Sequence, residues 1–277
     1  MQNMPRSAPD LNSAAKLAQR YLALLDKDLP EQRYQAFLEA NTSLMPREFV
    51  QNHGIHFSLV LRKMAFGADY RSDFVYLSKS SDDWNCVLVE IERPTSRFFK
   101  NHSNEFHGDL VAAHQQINSW RGWFSEPSNH ESFVRNNLGL VRKPLERNPT
   151  FMKYVLVMGR RAEYSENEVR RRLIRSLEQP DFKILSFDSL AENLPHKHEL
   201  YVAARKNSFI DILNDEFLDE TIFSWMQPEQ IRISAKLKEN AIAARSKWQS
   251  VTMFDRTADG NLPRTMDHVL SKIRIRN

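Results

Sequence analysis

Apolar side chains recur every three or four positions from residue 13 to 26, at Ala14, Leu17, Ala18, Tyr21, Leu24 and Leu25. That spacing predicts an amphipathic helix with Ser13 as its N-cap. A second helix follows over 31–39, where Tyr34, Phe37 and Leu38 share a face, Pro30 suits a helix start and Glu31 stands in the first turn. The period then changes to two. Residues 73–77 (Asp-Phe-Val-Tyr-Leu) and 86–92 (Cys-Val-Leu-Val-Glu-Ile-Glu) flank a polar turn at 80–83, which predicts a β-hairpin ended by Pro94. With the turn centred between Ser81 and Asp82, Asp73 falls opposite Glu90. Alternation along the strand sends Glu90 and Glu92 to one face and Val87, Val89 and Ile91 to the other.

Between 103 and 124 the helical period returns, with Leu110, Ala113, Ile117, Trp120 and Phe124 in one stripe. Gln116 lies close enough to that stripe to face the strands, whereas Gln115 points away. Residues 151–158 form an apolar run typical of a central strand, and Ser165 with Glu168 makes a capping box for a helix carrying Val169, Leu173, Ile174 and Leu177. The run 182–187 reads as a further strand, so this stretch is a βαβ unit with parallel pairing. Beyond Pro195, helices are expected over 198–218 and 228–248, then a short basic tail.

Composition narrows the chemistry. The chain has 277 residues, 41% of them hydrophobic and 27% charged, enough for a real core. The single cysteine, Cys86, excludes internal disulfides and thiolate metal sites. The first residues lack the apolar stretch of a signal peptide, and no run approaches the roughly 18 apolar residues that span a bilayer, so a cytoplasmic location is expected. There is no Walker A loop or GxGxxG among only 7 glycines, which argues against kinase and dehydrogenase sites. The net charge of +4 permits an anionic partner without requiring one.

An acid on one strand, Glu-x-Glu on its neighbour and a helical glutamine beside them suit a hard divalent cation, which takes oxygen ligands and water. At this point a family resemblance enters. Asp73-Phe-Val, Trp84 with Val87-Leu-Val-Glu-Ile-Glu-Arg-Pro94, Ala113-His-Gln-Gln-Ile-Asn-Ser-Trp120, Val155-Leu-Val-Met-Gly-Arg-Arg161 and Ile184-Leu-Ser-Phe-Asp188 resemble, in this order, the Shedu anti-phage nuclease family, over about residues 31–200. The resemblance implies a PD-(D/E)xK fold, an α/β mixed sheet flanked by helices, and cleavage of double-stranded phage DNA with Mg²⁺ or Mn²⁺. It also implies a homo-oligomer, plausibly a tetramer. Carried across by position, Asp73 and Glu90 match the metal-binding acids, Gln116 the helical glutamine, and Glu31 the acid of the first core helix, with Glu39 competing.

Where the family motif has lysine, this chain has Glu92. A carboxylate cannot stabilise developing negative charge, although it can serve as ligand or base. Arg93 or Lys100 could supply the cation, and Arg160 and Arg161 could hold phosphate if they are not engaged in salt bridges. Two readings follow: a metal-dependent endonuclease, or a catalytically silent nuclease fold that binds DNA or a protein. A salt bridge filling the space between Asp73 and Glu90 would favour the second. The expected organisation is an N-terminal helical extension (1–30), a nuclease-like core (31–200) and a C-terminal helical, basic extension (201–277). His102, His107 and His114 are expected on a solvated face, and Trp120, Trp123 and Phe124 in the core.

Overall fold

The structure, a computed structural model, describes residues 10–216, 221–244 and 266–276. Two helices open it, α1 (Leu11–Leu25) and α2 (Glu31–Ala40). The cap of α1 is Asp10, not Ser13: its carboxylate accepts the Ser13 N–H at 2.9 Å, which starts the helix a turn earlier than expected. Strands β1 (Ile55–Phe66), β2 (Tyr70–Lys79) and β3 (Trp84–Ile91) form an antiparallel meander. Then come α3 (Gly108–Ser125), α4 (Pro127–Asn136), β4 (Thr150–Val157), α5 (Glu168–Leu177), β5 (Phe182–Leu185) and the single turn α6 (Phe187–Leu190). Asn167 rather than Ser165 caps α5, accepting the Arg170 N–H at 3.1 Å. The expected parallel βαβ unit is present, with β4 lying parallel to both β3 and β5.

Residues after 200 correct the expectation of a helical C-terminal extension. They contain β6 (Tyr201–Arg205), β7 (Ile210–Ile212), α7 (Thr221–Trp225), β8 (Ile231–Ser234), α8 (Ala235–Ala244), α9 (Met266–Lys272) and β9 (Arg274–Arg276). β6 pairs in parallel with β1, so this segment extends the sheet: the order is β5-β4-β3-β2-β1-β6-β7-β8-β9. The reason is local and tertiary together. Asn207 and Ser208 are turn formers that break the supposed helix, Ile231 and Ile233 follow a period of two, and β1 offers an unpaired edge that a parallel strand satisfies. Part of the expected helix over 228–248 survives as α8; its last residues lie outside the described ones.

The sheet separates two apolar layers. On one face Val75, Leu77, Cys86, Leu88 and Leu156 pack against Leu110, Ala113, Ile117 and Trp120 of α3. On the other, Phe74, Tyr76, Val87, Val89 and Val155 pack against Tyr21 and Leu25 of α1 and Tyr34 and Leu38 of α2. Parity along β3 therefore aims Glu90 at α3 and leaves Ile91 among the residues packed on α1 and α2. Among the described residues no helix is long and apolar enough to cross a membrane.

Candidate active site

The β2–β3 ladder runs from Lys79↔Trp84 to Phe74↔Val89, the register counted from the turn at Ser81 and Asp82. Continued by one residue it sets Asp73 against Glu90, but there the ladder stops. A side chain replaces it: Asp73 Oδ2 accepts the backbone N–H of Ile91 at 2.8 Å. Asp73 is only 5% exposed, and its Oδ1 accepts from Gln35 Nε2 at 2.9 Å and from the Lys63 ammonium. Gln35 also donates to Glu31 at 2.5 Å, which ties α2 to the strand ends. Glu39, the competitor for the helix position, pairs instead with Arg62 at 2.8 Å.

Gln116 faces the strands as its helical phase predicts, and donates to Glu90 Oε1 at 2.5 Å. The other oxygen of that carboxylate, Oε2, is buried and has no hydrogen-bond partner among the described residues. Buried acceptors are nearly always paired, so a bare carboxylate oxygen asks for a donor or a cation. Electrostatics say the same. Burial, then the charge of Asp73, pushes Glu90 well above the ordinary glutamate range. Burial raises Glu92, with Glu31, Asp73 and Asp109 adding to it, and burial followed by Asp73 raises Glu31. Asp73 is raised by burial, against the opposing effect of Lys63. Asp73 thus adds to the effect of burial at all three glutamates, Glu31, Glu90 and Glu92, and disfavours the charge of each.

Lys63 and Gln35 are the residues that sequence reasoning missed. Lys63 becomes legible only once β1 is known to be a strand: Phe66 and Tyr70 then bracket the turn of β1 and β2, and counting outward from that pair puts Lys63 opposite Asp73. Its backbone is left-handed, with φ +48°, and it stands between the ladder pairs Arg62↔Phe74 and Met64↔Ser72. Gln35 lies one helical turn after Glu31.

The remaining cations divide. Arg93, directly after the strand, lowers the pKa of both Glu31 and Glu92, so its charge is felt in the acid cluster. Lys100 pairs with exposed Glu105 at 2.7 Å. Arg160 is held by Asp26 at 2.8 Å and Asp188 at 3.0 Å, and Arg161 by Glu192 at 2.5 Å. Both arginines therefore take the salt-bridge role. His107 caps α3, and the His114 ring packs on Phe182, away from the acids.

Residues 28–191, well over half of the chain, match the family model described as Shedu protein SduA, C-terminal. The chain belongs to the Shedu family. Membership implies a role in defence against phage. No curated protein matches it. The matched segment runs from just before α2 to the end of α6, so it contains Glu31, Lys63, Asp73, Glu90, Glu92 and Gln116 together.

Do these residues fit a divalent ion? The donor set is all hard oxygen, as Mg²⁺ or Mn²⁺ prefers, and Glu90 Oε2 is unclaimed among the described residues. A carboxylate offers about four lone-pair positions. Asp73 uses three, for Gln35, Lys63 and Ile91, which leaves one on Oδ2. Among the described residues no group of three or more His, Cys, Asp or Glu side chains is placed to hold a metal ion. Mg²⁺ does not need such a group, since it usually binds through one or two carboxylates and keeps its waters. The residues fit.

Proposed function

We propose that this Shedu protein is a divalent-metal-dependent endonuclease of the PD-(D/E)xK type that cuts double-stranded phage DNA. The observation that carries the reading is Glu90 Oε2, a buried carboxylate oxygen that is partnerless among the described residues, inside a cluster of four acids. Such an arrangement is costly unless something positive enters it.

Glu90 and the remaining position on Asp73 Oδ2 are the protein's ligands for Mg²⁺ or Mn²⁺. When bound, the ion polarises the scissile phosphodiester and lowers the pKa of the attacking water. Gln116 fixes the Glu90 carboxylate so that Oε2 is the oxygen left to bind. Gln35 and the Ile91 N–H orient Asp73 in the same way. Glu92, with its pKa raised by burial and by Glu31, is better matched as a general base than an ordinary glutamate. Positive charge for the developing phosphorane, the task of the absent motif lysine, falls to Lys63 and Arg93. Glu31 holds Gln35 in place.

The test is cleavage of supercoiled and linear DNA by Asp73→Ala and Glu90→Ala with Mg²⁺ or Mn²⁺, alongside phage protection in cells. Loss of cutting and protection with the fold intact is expected; unchanged cutting in both variants sinks the site. A homotetramer goes with this reading, and light scattering of the purified protein checks it.

A second reading rests on its own observations. Glu92 replaces the motif lysine, and the Lys63 ammonium sits on Oδ1 of Asp73, so a built-in cation already stands on the carboxylate that would share a metal. A silent nuclease fold would bind DNA with steep salt dependence and fail to nick it with either ion.

A further inference from the structure

A second site lies at the opposite end of the same strands. A cavity of about 620 Å³ opens between residues 47–58, Lys79 at the end of β2, and the segment 196–200 that leads into β6. Asp73 and Lys79 are six residues apart on β2, which at about 3.3 Å per residue puts the cavity about 20 Å from the acids. Its lining carries Arg47, Lys79, Lys197, His53, His196 and His198, and among the described residues no Asp or Glu lines it. Ion pairs normally consume such charges; here, among the described residues, none of the three Lys and Arg side chains is paired with a carboxylate.

The cationic groups are held in place. Arg47 is braced between two segments, donating to the carbonyls of Thr42, Met45 and Pro46 and, at 2.8 Å, of His198. Lys197 donates one N–H to Leu190 O at 3.0 Å, which leaves two for a ligand. Lys79 stands 5.5 Å above the Trp84 ring. Burial and then Arg47 press Lys197 down to about 8, and burial lowers Lys79. The nearest acids, Glu192 and Glu48, act on Lys197 less than those two causes do. A chain that buries several like charges around a void has built a receptor for the opposite charge.

His56 also lines the cavity. Val50, Ile55, Phe57, Leu200 and Trp225 give the wall its apolar surface. An anion alone would not need that apolar surface, and a purely apolar ligand would not need the charges.

We propose that this cavity binds a nucleotide phosphate, with the phosphate against Lys79, Lys197 and the field of Arg47 and the nucleoside against the apolar wall. The ligand this chemistry fits is a free nucleotide, small enough to enter the cavity whole. The site is independent of the acid cluster, so it stands whether or not the protein cuts DNA.

The experiment is calorimetric titration of the full-length protein with pyrophosphate, with ATP, and with a short duplex carrying or lacking a 5′-phosphate. Lys79→Gln and Lys197→Gln keep most of the side-chain stem and are first checked for unchanged melting temperature; Asp73→Asn serves as the control. Saturable ATP or pyrophosphate binding that weakens tenfold or more in either lysine variant, but not in Asp73→Asn, identifies a free nucleotide. Binding of the 5′-phosphorylated duplex alone, with none of ATP or pyrophosphate, overturns the free-nucleotide assignment. No saturable binding by any probe up to millimolar concentration, or binding equal in wild type and both lysine variants, overturns the proposal. A failure here leaves the nuclease reading intact, because the probes do not report on Glu90.

Discussion

Replacing Glu90 by glutamine should make the metal-free protein more stable at pH 8 and remove its response to magnesium. In the unfolded chain this carboxyl releases its proton near 4.5; in the fold, burial and the neighbouring Asp73 charge hold the proton to a much higher pH. Between the two values the native state binds more protons than the unfolded state. Stability therefore falls as pH rises, by up to about 1.4 kcal/mol per pH unit for one such group, and levels off above the folded pKa. Asp73, Glu31 and Glu92 shift in the same direction, so the cluster as a whole sets the slope. Glutamine keeps an acceptor for Gln116 and carries no charge. Each pH unit of lift adds about 1.4 kcal/mol to the advantage of Glu90→Gln at a pH above the folded value. That corresponds to a melting temperature about 3–6 °C higher for a chain of this size. Urea unfolding in EDTA from pH 5 to 8 reads it directly: the two proteins should match near pH 5 and separate as pH rises. Magnesium at a hundred times its Kd should then stabilise the wild type by about 2.7 kcal/mol and the variant far less. A variant less stable than the wild type at pH 8 in EDTA, or a gap that narrows with rising pH, would refute an uncompensated buried acid.

Lys63→Met takes the ammonium away from Asp73. Because Lys63 is about one-third exposed, the metal-free loss should be only about 1–2 kcal/mol, and Mg²⁺ should recover most of it in the same unfolding assay. Phe66 meets the rings of Tyr70, Trp120, Trp123, Phe124 and Phe133, so Phe66→Ala should cost about 3–5 kcal/mol in urea; a loss below 1 kcal/mol would show that this ring cluster does not anchor α3 and α4. Arg160→Ala should leave DNA affinity and its salt slope unchanged, since Asp26 and Asp188 occupy the guanidinium, whereas Arg93→Ala should weaken DNA binding in a fluorescence anisotropy titration. The reverse pattern would move the phosphate contact to the end of β4.

Local pattern made a good part of this protein readable in advance. The β2–β3 register followed from counting outward from Ser81 and Asp82, because a two-residue period and a tight turn leave one pairing that buries Val87 and Val89. Gln116 followed from helical phase, and the neutralised Arg160 and Arg161 were legible as one of two alternatives. β1 was not readable, since its register with β2 shifts between Ile55 and Val60 and its backbone turns left-handed at Phe57, Ser58 and Lys63. β6 and β7 were mistaken for a helix because short strands of five and three residues lack enough positions to reveal their period.

The sequence by itself determined the elements whose stabilising contacts lie close along the chain: the first helices, the β2–β3 hairpin, the βαβ unit, and the family to which they belong. Tertiary structure alone decided what meets across the sheet. Gln35 and Lys63 converge on Asp73 from a helix and a strand that no local pattern links to it, and the cationic cavity needs residue 47, residue 79 and residue 197 side by side. The physical reason is common to both. Electrostatic and hydrogen-bonding partners are chosen by distance in space, and burial, which pushes the Glu90 and Lys197 pKa values in opposite directions, exists only once the layers have closed.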